Sequence, residues 1–124
     1  MDWVKSCFEC STAMCFRDLR RDIEEDVKVR NAQIVGAQMR FELQTVKSAE
    51  LDTFRVVRFA PQAQQAVDFS HDGSFILCHA QSWETIKAKP RLNGEGECCL
   101  TLLDGEELLP WQYRKKMLED LFGF

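Results

Sequence analysis

The sequence contains few of the side chains from which enzymes most often build active sites. Two histidines and one tyrosine occur in 124 residues, and no convergent catalytic set can be read from them. No stretch approaches the roughly 18 apolar residues of a membrane-spanning helix. With a net charge of −4, the chain also lacks the basic field that attracts nucleic acid. We therefore expect no catalysis, no nucleic-acid binding and no membrane insertion.

A recognisable secretory leader is also missing. The first residues include an acid, Asp2, and no long apolar segment follows it. Proteins without a leader normally stay in a reducing compartment, where thiols persist. The sequence therefore predicts a cytoplasmic protein whose six cysteines are free thiols.

Glycine is scarce where a phosphate-binding loop would need it. The segment Gly94-Glu95-Gly96 has too few glycines, and the wrong flanking residues, for a nucleotide loop. Paired carboxylates such as Glu106-Glu107 lie in charged surroundings, which give no reason for a shifted pKa. No cofactor is expected.

The cysteines are the most informative residues that are present. Cys7 and Cys10 are three residues apart, so on a helix they share a face and have the spacing for a metal or redox pair. A thioredoxin-like pair follows a strand, and none is predicted here. Cys15 lies about two turns beyond Cys7, so the four ligands of a zinc site would have to be completed by Cys78, His79, Cys98 or Cys99. We interpret the cysteines as small core residues and expect no metal site; a redox or metal role for Cys7 and Cys10 is the alternative.

Apolar periodicity predicts the secondary structure. Apolar residues at three- and four-residue spacing predict one long amphipathic helix from about Trp3 to Arg30, which Ser11-Thr12 could divide. Alternating residues predict strands from about Gln38 to Thr45 and from Thr53 to Phe59.

The second half of the chain is predicted to form further strands and a last helix. Asp72-Gly73 predicts a two-residue hairpin turn that would place Phe69 opposite Ile76. Thr85 to Lys89 is a predicted strand that Pro90 ends, and Cys98 to Leu103 is a strongly apolar, central strand. Pro110 suits the first turn of a helix that runs to about Phe122, with Trp111 in its buried stripe.

This order predicts one α+β domain over residues 1–124. Strands that follow one another without helical crossovers form an antiparallel sheet. We expect a long N-terminal helix and a C-terminal helix packed on one face of a curved antiparallel sheet of five to six strands.

These features favour a small cytosolic protein-interaction or regulatory module without catalytic activity. The reasons are the lack of a convergent catalytic set and a surplus of apolar side chains for one short sheet. The chain also ends in apolar residues, and exposed aromatic surface is unfavourable in water. Phe122 and Phe124 are the predicted interface of a homodimer, and a different protein partner is the other option. Phe124 lies beyond Gly123 and is the better candidate for a contact between subunits, unless it folds back onto its own core.

The alternative function is a ligand-binding or weakly catalytic α+β cone. An apolar pocket between helix and sheet would be lined by Phe41 and Phe69, and His79 and Asp68 would lie at its mouth. Because His79 neighbours Cys78 on one strand, their side chains diverge and make a poor nucleophile–base pair.

Overall fold

The computed structural model describes residues 2–36, 38–47, 52–61, 63–80 and 83–124. In these ranges the chain forms three helices and a seven-stranded sheet. The helices are α1 (Trp3–Glu9), α2 (Thr12–Gln33) and α3 (Pro110–Phe122). The strands are β1 (Arg40–Lys47), β2 (Asp52–Phe59), β3 (Gln64–His71), β4 (Ile76–Ala80), β5 (Trp83–Leu92), β6 (Cys98–Leu102) and β7 (Glu107–Leu108).

The N-terminal region forms two helices, so the prediction of one long helix is wrong and the predicted alternative of a break at Ser11-Thr12 is confirmed. Ser11 is the N-cap of α2, and its Oγ accepts a hydrogen bond from the Met14 N–H at 3.4 Å. Serine favours this position because its side chain satisfies a free N–H of the first turn. Cys10 ends α1, and its backbone N–H donates to Ser6 and Phe8 carbonyls.

The sheet is antiparallel throughout, and its strands lie in sequence order from β1 to β7. The α+β class and the antiparallel sheet are confirmed, whereas the strand number is seven instead of five to six. The additional strand is β7, which has two residues and is too short to leave an alternating pattern in the sequence.

The two longer helices cover one face of this sheet. The buried residues of α2 recur at helical spacing and are Phe16, Leu19, Ile23 and Val27. The buried residues of α3 are Tyr113, Met117, Leu118, Leu121 and Phe122. Both sets join the inward-facing residues of β1 to β7 in one hydrophobic core.

The β3–β4 hairpin has a different register from the predicted one. Phe69 lies opposite Cys78, and His71 lies opposite Ile76. The connection is longer than two residues because the Asp72 carboxylate organises it: Oδ1 accepts the N–H groups of Ser74 at 2.9 Å and Phe75 at 2.7 Å. These two hydrogen bonds lower the pKa of Asp72.

β5 is also longer than predicted, since it continues through Pro90 to Leu92. Its last residue paired with β4 is Ala88, whereas Pro90 pairs only with Leu100 of β6. At Pro90 the strand is locally an edge, where a residue without a backbone N–H is tolerated.

Candidate interaction surface

The polar residues of the predicted ligand site lie on the face of the sheet opposite the core. Asp68 and His79 are directly opposite each other on β3 and β4. Arg55 binds Asp68 with two hydrogen bonds, from Nε to Oδ1 at 2.7 Å and from Nη2 to Oδ2 at 3.2 Å. This contact raises the pKa of Arg55. His79 Nδ1 lies 3.3 Å from the Thr85 hydroxyl. Arg55, Asp68 and His79 border a cavity of about 300 Å³.

The two phenylalanines of the same prediction lie on the other face. Phe69 is fully buried and stacks on Phe54 with 5.1 Å between ring centroids. Phe41 is also buried, and its ring meets the ring of Phe122 edge-on at 5.0 Å. Because neighbouring strand residues point to opposite faces, Phe41 and Phe69 do not line one pocket with Asp68 and His79.

The cysteines correct the expectation that all six thiols are free. Cys10 and Cys98 form a disulfide bond, whereas Cys7, Cys15, Cys78 and Cys99 are free. Cys7 is exposed and is not the partner of Cys10.

A third sulfur lies beside this bond. Cys15 Sγ is 3.3 Å from Cys98 Sγ, and the sulfurs of Cys10, Cys15 and Cys98 all lie within 4.8 Å of one another. Sequence reasoning missed this group because a continuous helix would have kept Cys10 and Cys15 on different faces, whereas the break at Ser11 reorients them. Burial, and then the nearby Asp18 carboxylate, raise the pKa of Cys15 to about 11.

An apolar groove runs between the second half of α2 and α3, and we name it the α2–α3 groove. It encloses about 320 Å³. Three apolar side chains at its border are largely exposed: Val29 at 51%, Trp111 at 54% and Phe124 at 75%. The buried residues Leu118 and Phe122 also line it. Trp111 was predicted to be buried, but it occupies the second position of α3 and projects beyond the sheet-facing stripe.

The charged groups of the α2–α3 groove are paired within the chain. Arg114 Nε donates to Asp26 Oδ2 at 2.7 Å, and Lys115 Nζ donates to Glu119 Oε2 at 2.7 Å. Arg30 Nε donates to the Phe122 carbonyl oxygen at 3.0 Å. The groove therefore presents apolar surface between charges that already have partners.

The two predicted interface residues are in different environments. Phe122 is buried in the core, so its ring is occupied within the subunit. Phe124 follows Gly123, which adopts φ = 83° and ends α3. Its backbone N–H donates to the Glu119 carbonyl at 2.9 Å, which fixes the backbone while the ring remains at the surface.

A second exposed apolar patch is formed by α1, which buries none of its seven residues. Trp3, Val4 and Phe8 are each more than half exposed. The residues of this patch line neither the α2–α3 groove nor the cavity beside Asp68 and His79.

No helix in the described ranges is long and apolar enough to cross a membrane. Comparison of the chain with protein-family models, with curated proteins and with solved structures finds no match.

Proposed function

We propose that this protein is a small cytoplasmic interaction module without catalytic activity, and that it acts as a homodimer held by the α2–α3 groove. The observation that carries the proposal is the position of Trp111 and Phe124, two largely exposed aromatic rings that border one apolar cavity. Large exposed apolar patches that are rimmed by polar residues mark protein–protein interaction sites.

A second copy of the chain is the occupant that fits this surface. A two-fold interface is self-complementary, so one surface must supply both the projecting group and the cavity that receives it. The α2–α3 groove has both, since Phe124 projects beside a cavity of about 320 Å³. Because Arg114 and Lys115 already have carboxylate partners, no unpaired charge there selects a partner of opposite charge.

The raised pKa values of two buried thiols, Cys78 and Cys99, support the proposal that the protein has no catalytic activity. Burial raises the pKa of Cys78 well above its ordinary value, and burial also raises the pKa of Cys99. A thiol with a raised pKa is rarely a thiolate at neutral pH and is therefore a weak nucleophile. Disulfides are rare in the cytosol, so the proposed cytoplasmic location includes the proposal that Cys10–Cys98 is reduced there.

The test is the mass of the protein in solution, measured by sedimentation equilibrium over a concentration series. All samples carry Cys7→Ser, because an exposed thiol can cross-link two chains. We expect a dimer, and we expect Phe124→Ala and Trp111→Ala each to weaken it at least about tenfold, or about 1.4 kcal/mol, as loss of an interface anchor does.

Phe8→Ala is the matched control, since Phe8 is an exposed phenylalanine on α1 and does not line the groove. It should leave the dissociation constant unchanged. A monomer at high micromolar concentration rejects the proposal. A dimer weakened by Phe8→Ala but not by Phe124→Ala assigns the interface to α1 instead.

A further inference from the structure

We propose that the sulfurs of Cys10, Cys15 and Cys98 form a zinc-binding site when the Cys10–Cys98 bond is reduced. The three sulfur atoms lie within 4.8 Å of one another, and together they are a typical donor set for a thiolate-preferring cation. We name this group the three-cysteine cluster. The inference is independent of the proposed dimer, since the cluster shares no residue with the α2–α3 groove.

Three separate elements hold the cluster in place. Cys10 ends α1, Cys15 lies in the first turns of α2, and Cys98 opens β6. Cys98 points to the helix-covered face of the sheet, because it shares that face with the buried Leu100 two residues later. The tertiary fold, and not a local loop, therefore brings Cys98 to Cys10 and Cys15.

The spacing of the sulfurs is close to that of a zinc–thiolate site. With a Zn–S bond of about 2.3 Å and tetrahedral angles, neighbouring sulfurs lie about 3.8 Å apart. Cys15 and Cys98 are already 3.3 Å apart. The bonded sulfurs of Cys10 and Cys98 must move apart, and breaking the bond between them permits this movement. The sulfurs of Cys15 and Cys98 need only a small further separation.

The cluster supplies three protein ligands. Within the described ranges, no fourth cysteine, histidine or carboxylate belongs to this group. Zinc with three protein ligands takes a water molecule in the fourth position, as in sites that exchange ligands. Cys10 is buried and the other two cysteines are half-buried, so the protein shields the ion on one side.

Oxidation and metal binding are mutually exclusive in this cluster. A dithiol reductant gives two electrons and two protons to the Cys10–Cys98 bond, which opens to two thiols while the reductant becomes a disulfide. Zn²⁺ then replaces the protons of the three thiols and releases them to solvent. In the oxidised chain, two of the three sulfurs are bonded to each other and only Cys15 is free.

The experiment titrates the full chain with Co²⁺ and then with Zn²⁺ under anaerobic conditions. One sample is reduced with a phosphine and desalted, and the other keeps the disulfide. Thiolate-to-cobalt charge-transfer absorption reports sulfur ligation, and native mass spectrometry gives the stoichiometry. We expect one ion per reduced chain, displacement of Co²⁺ by Zn²⁺, and no charge-transfer absorption from the oxidised chain.

Two single substitutions separate this site from a simple disulfide. Cys15→Ser keeps the Cys10–Cys98 bond but removes one ligand, so the reduced variant should bind at least about tenfold more weakly. Cys7→Ser removes a cysteine outside the cluster and should bind as the wild type does. Peptide mapping of the disulfide in oxidised Cys15→Ser verifies that this variant folds, and Cys15→Ala replaces it if it does not. Equal affinity in the Cys15 variant, loss of binding in Cys7→Ser, or no uptake by the reduced wild type would overturn the proposal.

Discussion

The side chain of Arg30 lies over the ring of Phe124, with 4.8 Å between the guanidinium carbon and the ring centroid. The same guanidinium donates from Nε to the Phe122 carbonyl oxygen at 3.0 Å. One residue of α2 thus holds the end of α3 by a cation–π contact and a charged hydrogen bond.

Arg30→Ala should therefore destabilise the fold. Loss of a partly exposed charged hydrogen bond and a surface cation–π contact should lower the free energy of unfolding by about 1–2 kcal/mol, measured by urea denaturation. Arg17→Ala is the matched control, because Arg17 lies on the same helix and its contacts with Asp18 are exposed. The control should change stability by less than about 0.5 kcal/mol. Equal effects of the two substitutions would contradict the role given to Arg30.

Leu100→Ala should be among the most damaging substitutions in the sheet. Leu100 is buried in the core, and deletion of a buried leucine side chain lowers the free energy of unfolding by about 2–5 kcal/mol. Leu103, three residues later, is 75% exposed and provides the control. Leu103→Ala should change stability by less than about 0.5 kcal/mol in the same denaturation experiment. Two similar values would mean that the register of β6 is shifted.

Reduction of the disulfide should lower stability when no metal is present. The bond closes a loop with a sequence separation of 88 residues, which restricts the unfolded chain strongly. We expect the free energy of unfolding to fall by about 2–5 kcal/mol when reductant and a chelator are added. Cys10→Ser without reductant should reproduce this loss, and Cys7→Ser should not. Identical denaturation curves with and without reductant would show that the bond is not formed in solution.

Thiol reactivity should rank the free cysteines by exposure. With a pKa of about 11, only about one Cys15 thiol in a thousand is ionised at pH 8, and the thiolate is the form that reacts. Cys78 is buried, and its pKa is raised well above its ordinary value. Iodoacetamide should modify the exposed Cys7 first, and Cys78 only after unfolding, as peptide mass mapping will show. Modification of native Cys78 as fast as Cys7 is the contrary result.

The turn that contains Asp72 should make stability depend on pH in the acid range. Because the N–H groups of Phe75 and Ser74 bind the carboxylate, the pKa of Asp72 in the folded chain lies below its ordinary value of 3.8. A lowered pKa means that the stabilisation is fully present above the unfolded pKa and is lost as pH falls through the folded pKa. NMR titration should find the folded pKa below 3.8, and Asp72→Asn should remove this contribution. A measured pKa at or above that value would exclude these hydrogen bonds in solution.

Local sequence patterns predicted most of the elements, because helix and strand periodicity depends on which residues face the core. The pairing of Phe69 escaped prediction because the Asp72 side chain builds a longer turn than the Asp-Gly dipeptide favours. The continuation of β5 through Pro90 depended on where β4 ends, which is a property of the neighbouring strand.

The candidate sites were harder to predict than the fold. The contact of Cys15 with Cys98 joins residues 83 positions apart, and no local pattern encodes such a distance. Phe124 was predicted from the sequence to be an interface residue because an aromatic ring beyond a helix-ending glycine has no place in the helical stripe. Its ring is exposed, and its role at an interface stays a prediction. The exposure of the neighbouring Val29 could not be predicted, since it depends on how α3 crosses α2.

The sequential order of the strands has a consequence for how the chain folds. Each strand pairs with the one that precedes or follows it along the chain, so the sheet can grow by adding one hairpin at a time over short loops. Cys10 and Cys98, in contrast, meet only after α2 has docked on a sheet that already includes β6. We therefore expect this bond to form late, after the sheet and α2 have assembled. It would then stabilise the folded chain without guiding the folding pathway.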